Sequence, residues 1–219
     1  MKPIIIPITL ICLLFSFQCH GQEIEKNNYF PLWTFHDDSV NIHGISLGLW
    51  TINGSPKFTN TNGVKYELIG LGLFIPLMGS SPIVSSDSAF IMLSADPLSE
   101  IINGLNLSSS GTACHCLTNG ISAGAIAQIN FQVNGISASI IANLNQKHNG
   151  MMVAMANETY TMNGLQIGLI GNNSNLLNGL QVGLFNKTKH LKGIQIGLWN
   201  VNQKRKLPLV NWNFKRDKL

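Results

Sequence analysis

The sequence predicts an all-β protein, a β-solenoid-like stack of repeats of 14 or 15 residues. Three observations lead to this fold class. Glycines recur at regular intervals through the second half of the chain, and alternating apolar and polar or small residues follow each of them. Charged residues make up only 11% of the chain, against about 25% in a typical soluble domain. Such a chain makes many short strands and turns, and it has too many Ile and Leu residues to be disordered.

Seven glycines define the regular repeats and lie 14 to 16 residues apart: Gly104, Gly120, Gly135, Gly150, Gly164, Gly179 and Gly193. We number the columns of each repeat from this glycine, which is column zero. Columns one, three and five are apolar in the best copies, as in Leu165, Ile167 and Leu169. Column two is mostly polar, and column four is always small, as at Gly168 and Gly183. A period of two over six or seven residues predicts a strand with one buried face rather than a helix.

The alternation also predicts which face of each strand is buried. The apolar columns are expected to form the core, which places Ile167 inside the protein and Gln166 in solvent. The small residues of column four should then form a flat row on the outer face, which another segment or a partner approaches closely. Asn precedes the column-zero glycine in most repeats, for example Asn149 and Asn163. Stacked copies should align these asparagines into ladders.

An antiparallel meander or a closed β-barrel is the alternative fold. Strands with apolar residues outward and Gly, Gln or Ser inward would show the same alternation. The alternating stretches are about seven residues long, whereas a bilayer needs about 9–11 residues of strand. The aromatic residues also do not form two girdles, and both observations favour the solenoid.

Five segments are predicted along the chain. Residues 1–21 have the features of a signal peptide: a positive start at Lys2, an apolar run over residues 4–17, and small residues at Cys19 and Gly21. Cleavage between Gly21 and Gln22 is expected, without lipidation, because Gln18 is unsuitable before a modified cysteine. Residues 22–40 are a linker, 41–100 irregular early repeats with insertions, 101–201 the regular repeats, and 202–219 a cap with a basic tail.

Three weaker signals accompany the regular repeats. An early copy of the repeat begins at Gly44, and residues 69–74 are a degenerate relative of it. Near the C-terminus, Pro208 cannot donate a ladder hydrogen bond, so it is expected on an edge strand that ends the sheet. Cys114 and Cys116 would point to the same side of a strand. They fit the pattern as two small apolar residues, or as a disulfide in an oxidising compartment.

No catalytic, cofactor-binding or metal-binding residue is predicted, and the protein is not expected to be an enzyme. Glu158 is the only acid in residues 101–201, so that region has no carboxylate pair for acid–base chemistry. His36-Asp37-Asp38 is the one compact polar cluster, and a solvated linker explains it. His148 and His190 each lie shortly before a column-zero glycine and are expected in exposed turns. Cys114 and Cys116 have no further ligands at zinc-site spacing.

Positive charge is concentrated near the C-terminus. Nine of the fourteen Lys and Arg residues lie from Lys187 onward, including Lys204, Arg205 and Lys206. Such a tail either solubilises a charge-poor protein or contacts anionic lipid or lipopolysaccharide. Nucleic acid is not an expected partner of an exported chain.

The best repeats resemble a known family. Gly-Leu-Gln-Ile-Gly-Leu followed by Ile, Phe or Trp, together with the closing Leu-Pro-Leu-Val-Asn-Trp-Asn-Phe of residues 207–214, is similar to the surface-repeat-containing proteins of Gram-negative envelopes. The similarity covers residues 42–50 and 101–214 and is sharpest from residue 162. It implies an exported protein of the periplasm, outer membrane or cell surface, without enzymatic activity. The sequence therefore predicts an envelope scaffold or interaction module of unspecified partner, with a small outer-membrane β-barrel or pore as the alternative.

Overall fold

The computed structural model describes residues 26–51 and 57–215. The predicted signal peptide, residues 1–21, lies outside the described residues. The elements are strands, with one insertion between the fourth and the fifth strand that carries the helices. In chain order they are β1 (Asn27–Tyr29), β2 (Leu32–Thr34), β3 (Val40–Gly48), β4 (Thr59–Glu67), a 3-10 helix (Leu71–Leu77), α1 (Asp87–Ala95), β5 (Glu100–Ser108), β6 (Ala113–Gly124), β7 (Ala127–Ser139), β8 (Ala142–Val201) and β9 (Lys206–Asn213).

The described strands form one sheet, which confirms the all-β fold class. The pairing order follows the chain, β1-β3-β4-β5-β6-β7-β8-β9, with β2 also paired to β3. All pairs from β1 to β8 are parallel, and the column-zero glycines stand in register from Gly44 to Gly150. Only β9 is antiparallel to its neighbour. The antiparallel meander is therefore wrong for β3 to β8.

The long strand β8 contains four repeats that lie against one another in the same way. A Cβ atom built on Gly164 would meet the carbonyl oxygen of Gly150, and the same relation links Gly179 to Gly164 and Gly193 to Gly179. The side-chain amides of Asn149 and Asn163 are hydrogen-bonded at 2.8 Å. The ladder of asparagines before the column-zero glycines that the sequence predicts is thus present.

The buried face is the opposite of the predicted one. Column two lies inside: Gln166, Gln181 and Gln195 are fully buried, whereas Ile167 in column three is 37% exposed. The prediction that the apolar columns form the core was wrong. A parallel in-register stack gives buried amides hydrogen-bond partners in the neighbouring repeat, as it does for Gln166 and Gln181.

Two buried amide ladders show how the polar interior is satisfied. Gln195 donates to Gln181 at 2.9 Å, and Gln181 donates to Gln166 at 2.7 Å. At the turn seven or eight residues after the column-zero glycine, Asn172 donates both to the Asn186 oxygen at 2.8 Å and to the Val182 carbonyl at 2.9 Å. The same double donation recurs at Asn143, Asn157 and Asn186. Hydrogen bonds of this kind remove most of the penalty for burying polar groups.

A narrower apolar column completes the interior. It lies two residues before each column-zero glycine and contains mainly aliphatic side chains that are at most 2% exposed: Ile42, Ile102, Val133, Met162, Leu177 and Leu191. Met152 joins Met162, Leu177 and Leu191 in one cluster. This column is the hydrophobic core of the stack, and it supplies about 1.5–3 kcal/mol for each large side chain.

Glycine is required at column four of the last three repeats because the backbone of the protein itself lies there. A Cβ atom on Gly183 would be 2.3 Å from the Gly168 carbonyl oxygen, and one on Gly197 would be 1.8 Å from that of Gly183. Column four therefore faces inward, not onto the outer face as predicted. The predicted close approach to column four is present. The backbone of the preceding repeat and the buried asparagines Asn172 and Asn186 make it.

The N-terminal region is more regular than the sequence suggests. Strands β1 and β2 lie in the predicted linker and pair in parallel with β3. A further repeat begins at Gly63, in register with Gly44 and Gly104. The predicted degenerate copy at residues 69–74 is wrong, because Leu71–Leu77 form a 3-10 helix.

Two local features concern the end of the stack and the cysteines. Pro208 lies in β9, the last strand of the sheet, as expected for an edge strand. Cys114 and Cys116 are buried and joined by a disulfide. Of the two states that the sequence left open, the structure has the bridged one.

Candidate interaction face

The columns that the sequence assigned to the core form an outward apolar surface, which we call the outer face. It consists of columns one, three and five of nine repeats. None of these side chains is buried, and Leu169 and Leu198 are 69% and 58% exposed. Its members are Ile45, Leu47, Leu49, Val64, Tyr66, Leu68, Leu105, Leu107, Ser109, Ile121, Ala123, Ala125, Ile136, Ala138, Ile140, Met151, Val153, Met155, Leu165, Ile167, Leu169, Leu180, Val182, Leu184, Ile194, Ile196 and Leu198.

The outer face carries no charged residue. Apart from Ser109 and the Tyr66 hydroxyl, its side chains are apolar throughout. The inward ladders explain why these residues point outward, since successive side chains of a strand lie on opposite faces. Because columns two and four are fixed inside by hydrogen bonds and by backbone contact, columns one, three and five have no other place.

Strand β9 extends the same surface by one more row. Its register places Trp212 beside Ile194 and Val210 beside Ile196, and both β9 side chains are nearly half exposed. Arg205 lies over the Trp212 ring, 4.4 Å from its centroid. The outer face therefore runs the whole length of the described stack.

A groove borders the outer face where the chain turns after column five. The column-six side chains Ile170, Phe185 and Trp199 form its apolar wall, and Glu158 and Lys187 are among its polar members. Its volume is about 380 Å³. Ala156 is smaller than the column-six residues on either side of it, which deepens the groove at that repeat. The apolar surface thus continues around one edge of the stack.

The insertion of residues 69–99 leaves the outer face uncovered. It crosses the second half of several repeats instead, where the side-chain amide of Gln146 bonds to both Pro82 and Val84. Further along, Lys189 donates to the Ser85 carbonyl at 2.8 Å, and Phe90 stacks on Tyr160. No segment of the described chain covers columns one, three and five.

One buried cluster of charged residues lies between the early repeats. Lys65 and Glu67 are fully buried and Glu100 is 3% exposed. The Lys65 Nζ atom is 2.5 Å from Glu100 Oε2, 3.1 Å from Glu67 Oε1 and 2.8 Å from the Thr51 hydroxyl oxygen. The ring of Phe35 lies 4.5 Å from the same nitrogen. All three donors of the ammonium group are therefore used.

The pKa values of the cluster reflect burial and mutual attraction. Burial acts to lower the pKa of Lys65, but the two carboxylates outweigh it and hold that pKa above its usual value. Burial acts to raise the pKa of Glu67, yet Lys65 and the hydroxyls of Thr51 and Thr112 keep it low. For Glu100, burial prevails and the pKa is raised. The arrangement is that of a buried, mutually neutralising ion cluster.

The polar residues that the sequence singled out do not converge on a site. His36 accepts a hydrogen bond from the Leu49 amide, and Asp37 accepts one from the Trp33 indole. Burial, reinforced by Lys57 and Lys65, lowers the pKa of His36. Glu158 accepts a hydrogen bond from Asn173. Among residues 26–51 and 57–215, no group of three His, Cys, Asp or Glu side chains is arranged to hold a metal ion.

The prediction for His148 was wrong, whereas His190 is exposed as expected. His148 is fully buried and stands in the apolar column beside Val133, and Asn145 donates to its Nδ1 atom at 3.1 Å. The side chain two residues before the column-zero glycine points inward in every repeat, and the sequence did not reveal this. Burial lowers the pKa of His148 to about 4.

Acidification is expected to destabilise the protein through His148. Between pH 6.5 and about 4 the unfolded chain binds a proton that the folded chain does not, so the free energy of unfolding should fall by about 3 kcal/mol as the pH drops through this window. His148→Val, which matches Val133, should remove this part of the pH dependence, and His190→Gln should retain it. Denaturant unfolding at pH 7 and pH 4.5 measures the difference. Equal pH slopes in His148→Val and the parent chain would contradict the assignment.

Comparisons with known proteins add no relative. No protein-family model matches the chain, and no curated protein or solved structure is similar enough to count as a match. In the part of the chain that the structure describes, no helix is long and apolar enough to cross a membrane.

Proposed function

We propose that the protein is an exported, non-enzymatic repeat protein of the cell envelope, a β-solenoid scaffold that acts through its outer face. One observation carries the proposal. Twenty-seven outward positions over nine repeats are apolar with a single Ser and a single Tyr among them, and no charge interrupts them. A monomeric soluble protein rarely exposes an apolar patch of more than a few hundred Å².

The hydrogen bonding of the polar interior supports an interaction role for the outer face. Nearly every buried amide of the regular repeats has a hydrogen-bond partner. The polar interior is therefore well satisfied, and the apolar residues do not point outward because of a defect in the interior. Large apolar surfaces of this kind mark contacts with other proteins or with membranes. The outer face is therefore a working surface.

Export and an envelope location have two supports. Residues 1–21 have the composition of a signal peptide, and the disulfide of Cys114 with Cys116 fits an oxidising compartment. The resemblance of the best repeats to surface-repeat-containing proteins of Gram-negative envelopes agrees with this location. The basic C-terminal segment is a second contact region for anionic lipid or lipopolysaccharide.

Cell fractionation tests the role of the outer face. We expect the parent chain to sediment with the envelope, and the variant Leu169→Thr/Leu184→Thr/Leu198→Thr to be released into the soluble fraction. These three side chains are strongly exposed, so their replacement leaves the interior intact. The control is Ile91→Thr/Met92→Thr, which removes equally exposed apolar side chains from α1, outside the outer face. Retention of the triple variant in the envelope would contradict the proposal.

A further inference from the structure

We infer that the outer face is covered by a second copy of this chain, packed face to face. The inference rests on the proposed function, because it names the partner of that surface. It follows from the size of the face, its shape and regularity, and the position of the charges around it.

The area of the outer face is close to what a stable dimer needs. Nine repeats and β9 give ten rows of strands, and columns one to five span four residues. At strand spacings of about 4.8 Å and about 3.3 Å per residue, the face measures roughly 43 Å by 13 Å, or about 560 Å². Stable interfaces bury about 600–1,000 Å² on each partner. A single face-to-face contact therefore accounts for the whole surface.

The shape of the face favours a copy of itself. The parallel register aligns Leu165 with Leu180 and Ile194, and Ile167 with Val182 and Ile196, so aliphatic side chains form straight rows along the stack. Two such sheets pack about 10 Å apart with their side chains interdigitated, as the sheets of a sandwich do. Charged residues are depleted from the cores of protein interfaces, and the outer face has none. A periodic surface is complementary to its own copy without any further feature.

The distribution of charge favours a second copy over a lipid surface. Protein surfaces that lie on anionic membranes carry Lys and Arg along the border of the apolar face. Here the basic residues gather at one end of the stack, from Lys187 onward. Lys189 is engaged elsewhere, because it bonds to Ser85 of the insertion, and Arg205 lies over Trp212 in the last row only. The rows from Gly44 to Gly164 have no such border of cations.

A two-fold dimer places the middle of the face against the same region of the partner. The middle rows begin at Gly135 and Gly150, and their column-three residues are Ala138 and Val153. A charge at Val153 would therefore lie close to its own copy as well as in an apolar contact. Such a charge costs little in a single chain, because Val153 points outward and is only partly covered.

Sedimentation of the purified exported chain tests the inference. We expect the parent chain to have twice the mass of one chain at micromolar concentration, and Val153→Arg to be monomeric with unchanged circular dichroism. Leu169→Arg, at the most exposed position of the face, is a second variant with the same expected result. Ile91→Arg on α1 is the matched control and should remain dimeric.

The other outcomes separate this inference from the proposed function. A monomeric parent chain that binds phosphatidylglycerol vesicles through the outer face would overturn the second copy and replace it with lipid. A monomeric chain that still needs Leu169, Leu184 and Leu198 for envelope retention would overturn the dimer and leave the proposed function standing. A dimer that persists in both Val153→Arg and Leu169→Arg would show that another surface joins the copies, and would also overturn the inference.

Discussion

Gly183→Val is expected to abolish cooperative folding, or to lower the free energy of unfolding by more than about 4 kcal/mol. The added Cβ would lie 2.3 Å from the Gly168 carbonyl oxygen and 2.8 Å from the Asn172 amide nitrogen. Neither neighbour can withdraw, because the first belongs to a strand of the stack and the second to the buried asparagine ladder. Thermal unfolding followed by circular dichroism measures the loss.

The control for this substitution is Gly79→Val. A Cβ on Gly79 would have no neighbouring atom within 4 Å, so the same change of side chain should shift the melting temperature by little. If Gly183→Val melts at the temperature of Gly79→Val, column four has no close-packing role, and the inward direction assigned to columns two and four is wrong.

Lys65→Met is expected to lower the free energy of unfolding by about 3–5 kcal/mol. Removal of the ammonium group leaves Glu67 and Glu100 buried beside each other without a cation. The loss comes from the isolated carboxylates rather than from the ion pair itself, because a complete buried cluster contributes little over an apolar substitute. Denaturant titration at neutral pH measures the change.

A compensated variant distinguishes these two sources. Lys65→Met combined with Glu67→Gln and Glu100→Gln should recover at least half of the lost stability, since no buried charge remains. Lys192→Met, at an exposed lysine, is the control and should leave the stability nearly unchanged. If Lys65→Met is no more destabilising than Lys192→Met, the cluster is not buried in solution.

The fold class and the repeat could be predicted from the sequence because both depend on spacing. The alternation of Leu165, Gln166 and Ile167 indicates a strand whichever side is buried. The regular glycines also predict stacking in register, and with it the asparagine ladder. The edge strand that ends the sheet could also be predicted, because Pro208 cannot donate a ladder hydrogen bond.

The buried face could not be predicted from the sequence. The rule that apolar side chains lie inside considers each residue alone and ignores the hydrogen-bond partners that a neighbouring repeat supplies. Whether Gln166 can be buried depends on Gln181, which lies 15 residues away and supplies its hydrogen bond only once the stack exists. The repeat at Gly63 was missed for the same reason. Its inward columns hold Lys65 and Glu67, and their burial depends on Glu100, which the insertion separates from them in sequence. The side chains of the outer face were consequently predicted to form the core.

Hydrogen exchange of the side-chain amides is the most direct test of the polar interior and, with it, of the outward apolar face. The measurement follows the NH₂ signals of Asn and Gln by NMR after transfer to D₂O, and it needs no substitution. We predict slow exchange for Gln166, Gln181 and Gln195, which are buried and joined to one another, and fast exchange for the exposed Asn178. Covering of the outer face by a partner would not change either rate. Exchange of the three glutamines as fast as that of Asn178 would contradict the inward direction of column two.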